Sequence, residues 1–191
     1  MNARIIFVPV AAFLAVARIA MAGPDTESFG PAQAAADVIR AAAQADVAFL
    51  PAGVIKPEFR SGELSKMLQF PSDQVVVVEL TGAQVRSALE RSVSLLPSPN
   101  PGFLQVSGIV VTYAPRGVAN SRVKEVTVAG AALVAGSKYK VAMPSSLGRG
   151  GLGYFTVWKK EQIVETLPGT TVETLLRGKT GTENTPRWRP V

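Results

Sequence analysis

The 191-residue sequence contains neither cysteine nor histidine. Without cysteine there is no disulfide, no thiolate metal site and no cysteine nucleophile. Without histidine there is no imidazole general base, no Ser-His-Asp triad and no His-ligated metal centre. Charge is sparse as well: 18% of residues are charged against 47% hydrophobic, a balance that suits a packed globule and argues against disorder. No internal repeat, heptad run or low-complexity segment is present, and no cofactor is implied. The formal net charge is +6, but Arg4 and Arg18 sit in an N-terminal segment expected to be removed. Without them 18 basic side chains face 14 acidic ones, leaving +4. So mild an excess reads as a solvated surface, not as a nucleic-acid interface.

The N-terminus reads as an address. Met1 to Ala22 has a basic start at Arg4, an apolar run from Ile5 to Val16, and Ala20-Met21-Ala22 in the small-x-small pattern of a cleavage site. This predicts a secretory signal peptide over residues 1–22, cut before Gly23. The apolar run is shorter than the roughly 20 residues a membrane span needs, so no stable span is expected after cleavage. The expected location is exported, periplasmic or extracellular. Arg18 departs from the usual neutral cleavage region, and a retained anchor is the alternative.

Residues 23–29 form a polar leader, and one domain is expected over 30–178. Pro31 can open a helix where its missing N–H costs little. Asp46 to Leu50 reads as a short buried strand. Pro51 to Lys56 is then a loop in which Gly53 supplies a special dihedral. Glu58 to Leu68 predicts a turn and a short helix capped by Ser61. The centre of the chain is Leu68 to Val93. Val75, Val76, Val77 and Val78 read as a strand buried on both faces. Thr81 can cap a helix on which Val85, Ala88, Leu89 and Val93 share one face. Leu95 to Pro101, with three prolines, is a surface loop. Leu104 to Tyr113, Arg122 to Val128, Ser137 to Met143 and Phe155 to Trp158 read as strands, with Ala129-Gly130 able to turn a hairpin. Pro144 to Tyr154 is a glycine-rich loop, and neither a dinucleotide loop nor a P-loop is expected there. Thr170 to Leu176 predicts a last short helix. Residues 179–191 read as a flexible basic tail, with Trp188 in a frayed terminus.

Several ordered motifs go further. Leu68-Gln69-Phe70-Pro71, Leu80-Thr81-Gly82, Arg91-Ser92-Val93 and Phe103-Leu104-Gln105-Val106-Ser107-Gly108 resemble the "LPFG", "LTG", "HSV" and "FLQVSG" segments of the C-terminal domain of the 5'-nucleotidase family. The resemblance implies an α+β fold with a mixed β-sheet and flanking helices. It also implies a nucleoside pocket, whose "NxxxxGGDGY" wall falls on the glycine-rich segment. In that family an N-terminal metallophosphoesterase domain carries the His and Asp ligands for two metals, and this sequence shows no match to it. Catalysis of phosphate-ester hydrolysis by this chain alone is therefore not expected.

Residue by residue, the resemblance assigns substrate contacts to Phe70, Lys56, Gly53 and Tyr154. Phe70 takes the place of one of two rings that sandwich the base, and also reads as a core or rim aromatic. The second ring falls at Ser146, the motif asparagine at Pro51, the arginine at Lys56 and the ribose-binding aspartate at Leu152. Lys56 keeps charge but not the two-toothed fork, while Pro51, Ser146 and Leu152 are losses. The pocket so altered is more apolar, with Phe70, Leu147, Leu152 and Tyr154 around it. The expectation is an exported stand-alone domain without catalysis of its own, a binding or accessory module related to nucleotide catabolism. Its partners would be a separately encoded metallophosphoesterase and a small apolar or nucleoside-like ligand. The alternatives are a substrate-recognition subunit whose metal site is supplied in trans, and a purely structural or protein-interaction domain.

Overall fold

A computed structural model describes residues 23–191, so the predicted signal peptide lies outside the described residues. In chain order the elements are α1 (Gly30–Ala42), β1 (Val47–Pro51), β2 (Gln74–Thr81), α2 (Gly82–Ser92), β3 (Leu104–Ser107), β4 (Ile109–Tyr113), β5 (Val123–Val128) and β6 (Ala131–Ala132). Then follow β7 (Lys138–Pro144), α3 (Ser145–Gly148), β8 (Ile163–Thr171), α4 (Val172–Leu176) and β9 (Trp188–Pro190). One sheet has the order β3-β1-β7-β2-β8 and the other β6-β5-β4-β9. Both mix parallel and antiparallel pairs, which makes this the α+β architecture expected from the sequence.

Strand β2 carries the core. Its four valines are all buried, and alternation sends them to opposite faces. Val75 and Val77 join Ile39, Leu50 and Met67 on the face that α1 and α4 cover. Val76, Val78 and Leu80 join Phe49, Leu89 and Trp158 on the face that α2 covers. At the end of β2, Thr81 accepts a hydrogen bond from Gln84 N at 3.2 Å, and Gln84 Oε1 accepts one from Thr81 N at 3.0 Å. This reciprocal capping box starts α2 where the sequence placed it.

Several expectations need correction. Leu104 to Tyr113 is two strands in two sheets. The chain switches sheets at Gly108, whose φ is +74°. A Cβ there would lie 2.2 Å from the Asp46 carbonyl, so only glycine fits the corner. Residues 155–158 are not a strand. Phe155 and Thr156 end a 3₁₀ stretch, Gly151–Thr156, and Trp158 just beyond it is buried. The strand in this region is β8, whose Pro168 and Gly169 hide it from a propensity reading. The short helix after Glu58 is a 3₁₀ turn at Leu64–Met67, preceded by Glu63 and not capped by Ser61. The glycine-rich segment is ordered into α3 and the following 3₁₀ stretch. Gly148, Gly150 and Gly153 do fall at G-x-G-x-x-G spacing. The flanking elements are a one-turn helix and a 3₁₀ stretch, however, not the strand and long helix of a dinucleotide fold.

The leader and the tail both belong to the folded unit. Gln105 Nε2 donates to Pro24 O at 2.8 Å and Glu27 O at 2.6 Å, and its Oε1 accepts from Phe29 N at 2.9 Å. The tail is not frayed: β9 pairs parallel with β4, and Trp188 is only 2% exposed. Its indole N–H donates to Leu104 O at 2.7 Å, and the ring packs against Phe103 and Tyr113 at centroid distances of 5.0 and 5.5 Å. Arg187 beside it bonds Asp37 Oδ2 and Val106 O, both at 2.7 Å. One buried indole with a satisfied N–H outweighs the polarity of its neighbours. Trp188→Ala is expected to cost about 3–5 kcal/mol, read as a lower urea midpoint with an unchanged m-value. A change within about 0.5 kcal/mol would show that the tail does not hold the fold.

Candidate functional site

Three loops meet beyond the end of the central sheet. The chain leaving β1 turns through Ala52–Val54, the segment before β2 brings Phe70 to Asp73, and the α3 region brings Ser146 to Leu152. Between them lies a cleft of about 510 Å³. Phe70 stands on its wall with 58% of its surface exposed, an unusual degree for so large an apolar ring. Leu147, Leu152, Val54 and Gly53 supply the other apolar walls, and Ser72, Asp73 and Ser146 the polar ones.

Each wall is held from behind. Asp73 Oδ1 accepts from Ser145 Oγ at 2.7 Å, and its Oδ2 accepts from Ser146 N at 3.2 Å, tying the β2 lead-in to the start of α3. Leu152 has φ 54° and ψ 25°, left-handed values that cost a leucine about 1 kcal/mol. Arg91 on α2 holds it there: Nε and Nη2 both donate to Leu152 O, at 3.2 and 2.6 Å. The same guanidinium lies 5.4 Å from the centroid of the Tyr154 ring. Asp73 and Arg91 were not among the residues singled out from sequence. Arg91 occupies the histidine place of the "HSV" motif, which was its available signal.

The sequence-derived site residues divide. Phe70 and Gly53 line the cleft, together with Ser146 and Leu152 at two of the lost positions. Gly53 is not left-handed. Glycine eases a close approach there, since a Cβ would lie 3.1 Å from Pro101 O and 3.3 Å from Pro101 Cβ and would press on both. Lys56 is half-buried and does not line the cleft, and Pro51 is buried at the end of β1. Tyr154 is not a pocket wall. It is fully buried, stacked on Trp158 at 4.8 Å, and its hydroxyl donates to Gly102 O at 2.6 Å. The phenol looks inward because a buried hydroxyl must find a partner, and the Gly102 carbonyl supplies one.

The Phe70 cleft is therefore mostly apolar, with Ser72, Asp73 and Ser146 as its polar walls. It can stack a flat ring and offer hydroxyls to it. Leu152 stands at the position where the resemblance would place a ribose acceptor, and the carboxylate that does line the cleft, Asp73, accepts from Ser145 Oγ and Ser146 N. Among the described residues no group of three His, Cys, Asp or Glu side chains gathers as a metal site.

Comparison with known proteins places this architecture in a family. The model of the "5'-nucleotidase, C-terminal domain" matches residues 15–160, most of the chain, and the protein belongs to that family. It is 32% identical over 108 residues to the trifunctional nucleotide phosphoesterase protein YfkN of Bacillus subtilis, covering 54% of this chain and 7% of that protein. It is 32% identical over 123 residues to a 5'-nucleotidase-related protein of Glossina morsitans morsitans, covering 58% of this chain and 22% of the relative. Among solved structures, the 5'-nucleotidase precursor of Thermus thermophilus aligns with a TM-score of 0.70 at 23% identity, over 87% of this chain and 36% of that one. The NAD nucleotidase of Haemophilus influenzae aligns with a TM-score of 0.64 at 14% identity, over 83% of this chain and 33% of its own. The chain thus spans well under half the length of these relatives, and at such identities the structures establish the fold alone.

Burial drives the Tyr154 phenol well above its ordinary range, against the pull of Arg91, and burial also raises Tyr113, with Glu27 adding to it. A phenol kept neutral in the fold contributes its full stability below the unfolded pKa. That stability declines as pH climbs toward the folded value, because only the unfolded chain can ionise. Stability is therefore expected to fall above about pH 10. Tyr154→Phe should remove about 1.4 kcal/mol of the stability lost between pH 9 and 11, measured by urea unfolding at both ends of that range. An unchanged slope would contradict the buried placement of this side chain.

Proposed function

We propose that this domain is an exported, non-catalytic binding module related to nucleotide catabolism, and that its cleft takes a flat heterocycle against Phe70 without recognising a ribose. The carrying observation is Phe70 itself, an exposed ring on a concave apolar wall. A cleft of about 510 Å³ lined by apolar groups with a few polar ones has the size and chemistry of a small-ligand site. Where the resemblance would place a ribose acceptor, Leu152 offers none, and the Asp73 carboxylate that also lines the cleft is already engaged by Ser145 Oγ and Ser146 N, so a hydroxyl buried against Leu152 costs binding energy. With no histidine in the sequence, hydrolysis of a phosphate ester falls to a metallophosphoesterase centre supplied elsewhere, in another polypeptide or another domain. Export rests on the pattern of residues 1–22. Among the described residues no helix is long and apolar enough to cross a membrane.

Calorimetric titration with adenine and adenosine tests this reading. Both should bind within about threefold of each other, because the ribose gains no bond. Phe70→Ala should weaken both by about 5- to 100-fold, the worth of one stacked base. Adenosine binding more than about tenfold tighter than adenine would overturn the claim that ribose recognition is gone. Release of phosphate from AMP by the purified chain would overturn the claim that it is non-catalytic.

A further inference from the structure

A second cleft of about 390 Å³ lies beside the first, and Gly53 lines both. A Cβ on residue 53 would lie 3.3 Å from Pro101 Cβ and 3.5 Å from Leu152 Cδ1. Pro101 belongs to the second cleft and Leu152 to the first. The missing side chain thus keeps low the ridge that separates them.

The second cleft carries unlike charges. Arg60, Asp25 and Gln69 line it, and the Gln69 side-chain amide donates to Ile55 O at 2.9 Å. Arg60 is braced by Nη1, which donates to Pro57 O at 2.6 Å and Phe59 O at 2.8 Å. Asp25 is braced through its backbone: its carbonyl accepts from Asn100 N at 3.0 Å, and Gln105 holds the leader on either side of it. Among the described residues no ion pair joins Asp25 to Arg60. A carboxylate and a guanidinium that share a small cleft without neutralising each other are best answered by a group carrying both charges. A lone anion would meet the repulsion of Asp25, and a lone cation that of Arg60. The guanidinium fork matches a carboxylate, and the aspartate matches an ammonium.

We infer that the two clefts form one groove over Gly53 and that its ligand has two parts: a flat heterocycle on Phe70 and an amino-acid head between Asp25 and Arg60. This rests on the reading of the Phe70 cleft as a ring site, and adds a second subsite to it.

The test compares S-adenosylhomocysteine with 5'-methylthioadenosine, which shares its ring, ribose and thioether but lacks the amino-acid head. Titrated into the full chain, the first should bind at least about tenfold tighter. Asp25→Asn and Arg60→Ala should each reduce its affinity about tenfold or more and leave methylthioadenosine unchanged, while Phe70→Ala should weaken both compounds alike. Equal affinities of the two compounds, with Phe70→Ala still weakening them, would overturn the second subsite and leave the ring site standing. Tighter binding of S-adenosylhomocysteine that survives both charge variants would overturn the assignment to Asp25 and Arg60. If neither compound binds at millimolar concentration, both readings fall.

Discussion

Burial of β2 on both faces is the constraint on which the rest of the molecule depends. Four consecutive valines can alternate between two cores only if both faces of the sheet are covered. That requirement fixes α1 and α4 on one side and α2 on the other. It also fixes what happens at the two ends of the strand. At one end Thr81 has nowhere to go but into the cap of α2. At the other, Phe70 to Asp73 must arrive from outside the sheet, which carries them to the rim of the cleft. The exposed ring and the buried strand are consequences of one placement.

The cleft is built from turns that hydrogen bonds tie to regular elements: Asp73 to the start of α3, and Leu152 through Arg91 to α2. Preorganised walls lower the entropy lost when a ligand is held. The left-handed Leu152 belongs to the same logic. Aspartate and asparagine tolerate that conformation, and the family resemblance places an aspartate there, so the backbone suits an acidic side chain while the chemistry is apolar.

Much of this was legible from residue patterns. The valine run, the Thr81 cap, the helix after it and the hairpin at Ala129-Gly130 depend on local chemistry, and local chemistry is what a sequence displays. The apolar character of the cleft was legible too, since Leu147 and Leu152 stand beside Phe70. What was not legible depends on contacts distant along the chain. β8 contains Pro168 and Gly169 and is a strand because β2 pairs with it. The tail reads as polar and mobile, but one indole finds Phe103 and Leu104 more than eighty residues away. Tyr154 falls on a pocket motif and nonetheless turns into the core, because Gly102 offers its hydroxyl a partner. Asp25 and Arg60 face one cleft only once Gln105 has stapled the leader across the sheet.

The central claim, that the Phe70 cleft holds a flat ring, is tested most directly by methyl-resolved NMR of the chain titrated with adenine. A ring stacked on Phe70 would cast its ring current on the walls around it. The account predicts saturable shifts of the Leu147, Leu152 and Val54 methyl signals, with the distant Val126 and Val128 methyls unmoved. Shifts that gather elsewhere, or wall methyls that stay fixed to millimolar adenine, would contradict it.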